Sequence, residues 1–189
     1  RLLVAPHSLR KGLLMRIKRE TKNHLDGKPS WIRLKLNSLL DEEIVAAIYE
    51  AADAGVKVEI IVRGICSLQL NTQARRENIK VRSVLGRYLE HSRIFAFNGG
   101  GDPAVFIGSA DMMHRNLDRR VEALVRLSQP DHIREMNALF ELAMSDAAAT
   151  WHLGADGSWT RHQYGENGQP LIDVQDKTMQ DVYAKRNAR

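Results

Sequence analysis

The chain has 189 residues, of which 43% are apolar and 27% charged, enough for one packed domain with a small appendage. A single cysteine, Cys66, excludes a disulfide framework and argues against a cysteine-based metal site. No run approaches the roughly 20 apolar residues of a membrane-crossing helix, and the net charge of +5 points toward an anionic partner.

The opening "RLLVAPHSLRKGLLMRIKRE" carries charges throughout and is not expected to be a secretory leader. With no initial methionine, it reads as part of a longer protein cut near a domain boundary. Leu9, Leu13, Leu14 and Ile17 have helical spacing, with Ser8 as the expected N-cap. "DGKPS" breaks that helix. "WIRLKLN" alternates apolar residues with Arg33 and Lys35 and predicts a strand. "DEEIVAAIYEAADAG" opens on three carboxylates and closes on Gly55, as a capped helix does. "VKVEIIVRG" is a continuous β-branched run, the pattern of a buried strand. Strand, helix, strand in this order predicts a parallel pair with a right-handed crossover.

"NTQARRENI" predicts a loop or short helix, and "IKVRSVLG" a third strand. "SRIFAFN" and "PAVFIGS" are a fourth and fifth, joined as a hairpin by "GGGD". "RRVEALVRL" is a sixth. "PDHIREMNALFELAMSDA" is an amphipathic helix with Pro130 at its start. "ATWHLGADGSWTRHQY" predicts two short strands around an Asp-Gly turn, and "DVQDKTMQDVYAKRNAR" a polar terminal helix prone to fraying. The expected class is α/β, a mixed sheet flanked by helices. The expected division is a domain over 1–149 and a small C-terminal extension, hairpin and helix, over 150–189.

Between Ile61 and Pro130 eleven basic residues face six acidic ones, so this block holds the whole surplus of charge. Ten of the eleven are arginines, whose planar fork suits phosphate or carboxylate oxygens. Arg63 follows the buried strand beside Gly64, where open α/β sheets place ligands. Asn37 ends the neighbouring strand and is either a phosphate donor or a turn residue before the helix. His91 and Arg93 share one side of a strand start. Ser109, in "IGSAD", and the N–H groups around Gly108 are candidates for holding a phosphoryl oxygen. Arg115, Arg119 and Arg120 follow closely, with Asp111 and Asp118 expected to orient them. The remaining histidines lack metal-ligand spacing. Walker-type and Gly-x-Gly-x-x-Gly loops are absent.

H-x-R followed by a strand and then G-S-A-D resembles the H-x-K…G-S-x-N half-motif of the phospholipase D superfamily. Arginine replaces lysine at Arg93, aspartate replaces asparagine at Asp111, and a glycine-rich turn lengthens the spacer. More closely, "KLNSL", "VRGICSL", "ENIKVRSVLGRYLEHSRIFAF" and "IGSADMMHRNLDRRVE" resemble the last catalytic domain of bacterial polyphosphate kinase, from Arg1 to about Trp151. Two features depart from the family pattern. Met112 stands where tryptophan is usual, and "CSLQLNTQA" replaces a loop with a second cysteine.

The resemblance implies a phospholipase D-like fold and reversible transfer of the ATP γ-phosphate to the end of inorganic polyphosphate, with Mg2+. It implies a phosphohistidine in an upstream domain outside this sequence, most magnesium ligands outside it too, and an isolated chain that is inactive. His91 would be the second active-site histidine, and Arg63 and His91 would contact nucleotide phosphates. Asn37, Arg93, Ser109, Arg115, Arg119 and Arg120 would hold further phosphate charge. Partners implied are ATP or ADP, polyphosphate, upstream domains of the same chain and further copies in a homo-oligomer, with no specific nucleic acid. The location is cytoplasmic, with membrane association left open. Two alternatives stand beside it: a phosphodiesterase or phosphatidyltransferase of the wider superfamily, and a non-catalytic polyanion-binding module. The 6% aromatic content argues against single-stranded nucleic acid.

Overall fold

The computed structural model describes residues 2–187, and in them the periodicities of the sequence become a mixed sheet of ten strands with helices on its faces. In chain order the elements are β1 (Leu2–Ala5), α1 (Leu9–Leu25), β2 (Trp31–Leu36), α2 (Glu42–Asp53), β3 (Lys57–Val62), α3 (Gln73–Asn78), β4 (Ile79–Ser83), β5 (Arg93–Phe97) and β6 (Ala104–Gly108). They continue as α4 (His114–Asp118), β7 (Glu122–Arg126), α5 (Pro130–Met144), β8 (Ala148–Leu153), β9 (Trp159–His162), β10 (Ile172–Asp173) and α6 (Val174–Asn187).

The sheet order is β1-β7-β6-β5-β2-β3-β4-β8-β10, with β9 beside β8. The β2-α2-β3 unit gives the expected parallel pair, Leu34 opposite Ile60. β5 returns antiparallel to β2, Lys35 opposite Ile94, and β6 antiparallel to β5, Arg93 opposite Gly108. The carboxyl ends of β2, β3 and β6 therefore meet the start of β5 at one end of the sheet. The glycine turn is the expected hairpin: Gly99, Gly100 and Gly101 all have positive φ, and Asn98 Oδ1 accepts the Gly101 N–H at 2.8 Å.

Two apolar layers sandwich the central strands. On one face Leu13 and Ile17 of α1 and Ile44 and Ile48 of α2 pack on Leu34, Ile60, Phe95 and Phe106. On the other, Phe140 and Ala143 of α5 and Val174 of α6 pack on Ile61, Ile94 and Ala96. α2 starts as its sequence dictates, with Asp41 Oδ1 accepting the Ile44 N–H at 3.1 Å.

Local patterns miss five features, the first being the five-residue helix α4, too short to show an apolar period. The opening apolar run is a strand, pairing antiparallel with β7. Ser8 precedes α1 without capping it, because its hydroxyl pairs with the Val4 peptide instead. β10 escapes a pattern search because it is only two residues long. Arg33 and Lys35 do not line a solvent face: α5 covers that side, Arg33 pairs with Glu59 at 2.8 Å, and Lys35 is 3% exposed. β8 runs through positions 149 and 150 and pairs with β4 at Arg82 and Ser83. No helix among the described residues is long and apolar enough to cross a membrane.

Candidate active site

Asp111, 6% exposed in the loop after β6, is the hub of the corner where these strands end. Its Oδ1 accepts the Asn37 N–H at 2.7 Å, the Ser38 N–H at 3.3 Å and Arg93 Nε at 3.3 Å. Its Oδ2 accepts Arg93 Nη2 at 2.9 Å and Asn37 Nδ2 at 3.3 Å. Burial works against the charge, but the Arg93 guanidinium and the Asn37 donors outweigh it and hold the carboxyl below its ordinary range.

Asn37 turns its remaining oxygen outward along the sheet. Oδ1 accepts Arg63 Nε at 3.0 Å, which fixes the guanidinium at the end of β3. The strand ends approach closely here. Gly64 N–H reaches the Asn37 carbonyl at 2.7 Å, and a β-carbon at Gly64 would come within 2.8 Å of that oxygen. Arg63 also borders a cleft of about 290 Å3 whose walls include Trp151 and Trp159. Its position beside open space leaves the rest of its fork available to a ligand.

On the other side of Asp111, Arg93 Nη1 lies 2.8 Å from His91 Nδ1 and donates to the His91 carbonyl at 2.7 Å. A guanidinium only donates, so Nδ1, the nearer ring nitrogen, accepts, and the same Nη1 lies 3.4 Å from Nε2. The residues flanking His91 are held from β2: Lys35 Nζ pairs with Glu90 at 2.9 Å and donates to Ser92 Oγ at 2.8 Å. His91 itself is exposed. One hydrogen-bond chain thus runs Arg63–Asn37–Asp111–Arg93–His91 across the ends of four neighbouring strands, β3, β2, β6 and β5.

The other sequence candidates lie outside this chain of bonds. Ser109 faces β7: its N–H donates to the Ala123 carbonyl at 3.1 Å and its Oγ accepts the Ala123 N–H at 3.2 Å. Gly108 permits that contact, since a β-carbon there would overlap the Ala123 carbonyl at 1.9 Å. Arg115 in α4, and Arg119 and Arg120 before β7, stand at the same end of the sheet, exposed and without an ion pair among the described residues. The expectation that Asp111 and Asp118 orient them is not met. Asp111 takes Arg93, and Asp118 takes Arg10, whose hydrogen bonds hold its carboxyl down to about 2. Met112 is fully buried, and its carbonyl accepts the Leu40 and Asp41 N–H groups. Asp111 as hub and Lys35 as anchor were not singled out from sequence. The strand register that brings Arg93 opposite Gly108 is the signal that places Asp111 within reach of Arg93.

The corner is cationic; its buried carboxylate, Asp111, already accepts five donors, and Glu90 beside His91 is held by Lys35 and Gln175. It offers no free oxygen for a hard cation, so these residues do not fit magnesium as a ligand set.

The fold is of the phospholipase D class. Nuc from Salmonella typhimurium, a phospholipase D family member, superposes with a TM-score of 0.55 over 76% of this chain and 92% of that one. At 18% identity this likeness is one of fold alone. The chain belongs to the polyphosphate kinase family: the model of polyphosphate kinase C-terminal domain 2 matches residues 2–175. The polyphosphate kinase of Streptomyces coelicolor is 57% identical over 176 residues, which cover 93% of this chain and 24% of that protein. The crystal structure of polyphosphate kinase from Porphyromonas gingivalis superposes with a TM-score of 0.91 at 33% identity, covering 100% of this chain and 29% of that one. The chain spans about a quarter of the length of the curated relatives it matches.

Proposed function

We propose that this chain supplies one wall of a site that reversibly transfers the γ-phosphate of ATP to the end of inorganic polyphosphate. The observation that carries the reading is the bonded chain Arg63–Asn37–Asp111–Arg93–His91 at the strand ends. Phosphoryl transfer asks a protein mainly for alignment and for positive charge around the equatorial oxygens. Arg63 holds the nucleotide phosphates. His91 presents its imidazole to the transferring group or the departing oxygen. Arg93, with four of its five N–H donors given to Asp111 and His91, keeps the imidazole in place. Arg115, Arg119 and Arg120 receive the polyanion, and the peptide groups around Ser109 shape the corner.

In this scheme a histidine of a preceding domain attacks the γ-phosphorus, the bond to the ADP oxygen breaks, and the terminal oxygen of polyphosphate then takes the phosphoryl group from that histidine. Mg2+ accompanies ATP and is held by groups beyond this chain, in keeping with the saturated Asp111. Partners are upstream domains of the same polypeptide and other copies of it. The place of action is the cytoplasm, where ATP is supplied, and residues 150–189 form an extension of the catalytic domain 1–149.

The test uses the protein in its complete natural length, wild type and His91→Ala, with ATP, magnesium and a short polyphosphate primer. Transfer in both directions should fall about 100-fold or more while primer binding survives. An unimpaired variant, or a wild type without transfer, overturns the reading.

A further inference from the structure

Gln175, at the start of α6, is 7% exposed and lies 87 residues from the segment it holds. Its Oε1 accepts the Tyr88 N–H at 2.8 Å, and its Nε2 donates to the Tyr88 carbonyl at 2.8 Å. The side-chain amide thus pairs with that peptide as a neighbouring strand would. Nε2 also donates to Glu90 Oε1 at 2.9 Å. Turned over, the amide would set N–H against N–H at Tyr88, so its partners fix its orientation.

This contact is one link from the histidine. Glu90 gives its other oxygen to Lys35, which also holds Ser92, and His91 sits between the two. The loop needs such anchors, because Leu85, Tyr88 and Leu89 are 53%, 49% and 70% exposed and the core does not grip them. Gly86 makes room, since a β-carbon there would come within 2.5 Å of Gln175 Oε1. The clamp is itself fixed. Asp173 Oδ1 accepts the Gln175 and Asp176 N–H groups at 2.8 and 3.0 Å, and Val174 is buried against the second core layer.

We propose that Gln175 is a positioning residue for His91, and that α6 serves the active site by clamping the loop from Leu85 to Ser92. The proposal rests on the reading of His91 given above. The expected mechanism is geometric: a loop free to drift by about 1 Å costs on the order of 100-fold in a transfer that needs alignment.

The experiment uses the complete-length protein with Gln175→Met and, as a polar variant that withdraws the amide by one methylene, Gln175→Asn. Each is made alone and in a His91→Ala background. Amide hydrogen exchange over Leu85–Ser92 and the kcat and KM of ATP-dependent polyphosphate synthesis are measured in all. Lys185→Ala, which removes the exposed α6–α5 ion pair to Glu135, is the control and should match wild type. We expect faster exchange in the loop, a kcat lowered about 10- to 100-fold with little change in the KM for ATP, and no further loss in the His91→Ala background. Unchanged exchange overturns the clamp. Faster exchange with unchanged kcat, or losses that multiply with His91→Ala, overturns the positioning role. If His91→Ala alone leaves transfer intact, the reaction assignment has failed and takes the positioning role with it, while the exchange data still report separately on the clamp.

Discussion

Two cationic regions stand at one end of the sheet and are built in opposite ways. Around Asp111 every charge has a buried or half-buried partner, and Arg93, Asn37 and Arg63 are locked in one hydrogen-bonded arrangement. A few residues on, Arg115, Arg119 and Arg120 are exposed and hold no ion pair among the described residues. The first arrangement suits a step that needs atoms fixed before the substrate arrives, because its ordering cost is met on folding. The second suits a long, flexible polyanion, which needs positive charge along a path and no single geometry. Arg93 and Asp111 bond to each other through two hydrogen bonds. The pair is an arginine fork facing a carboxylate that matches it.

Removing the hub should separate the two regions most sharply. Asp111→Ala leaves Arg93 and Asn37 donors buried without an acceptor, and we expect a loss of about 3–5 kcal/mol in stability together with near-complete loss of transfer. Urea unfolding and a transfer assay check both. Asp111→Asn keeps one acceptor oxygen but turns an N–H₂ group toward Arg93, so it should fall between wild type and alanine.

Acid gives a milder version of the same break. Asp111 is held below its ordinary pKa in the folded chain. Its contribution is therefore complete above the unfolded value of about 4 and is lost as pH falls through the lowered folded value. Unfolding midpoints measured from pH 6 downward should drop less steeply in Asp111→Asn than in wild type. An identical slope would mean that Asp111 does not couple to folding.

Much of this corner is legible in the sequence because it depends on local pattern. The caps and periods of β2, α2 and β3 place Asn37 and Arg63 side by side at two strand ends, and alternation puts His91 and Arg93 together. What stays hidden depends on contacts between distant segments. Lys35 looks like a solvent-facing residue of an alternating strand until α5, about a hundred residues later, covers that face, as the Arg33–Asn137 separation of 104 shows. Asp111 lies nearer in sequence to Arg115 than to Arg93, and only the pairing of β5 with β6 decides its partner. Gln175 sits in a helix whose sequence is polar almost throughout, so no hydrophobic period marks which side chain turns inward.

The smallest expected effects belong to the exposed arginines, and they test the other half of the contrast. Arg119→Ala and Arg120→Ala should leave the unfolding midpoint unchanged, since neither side chain holds a partner among the described residues. With saturating primer, kcat should also hold. Affinity for polyphosphate should weaken, and the slope of log affinity against log salt should flatten by up to about one unit per arginine, as fewer counterions are released. Titration of polyphosphate into the complete-length variants at several salt concentrations measures that slope. A collapse of kcat at saturating primer would place these arginines in the fixed geometry around Asp111. An unchanged salt slope would remove them from the polyanion's path.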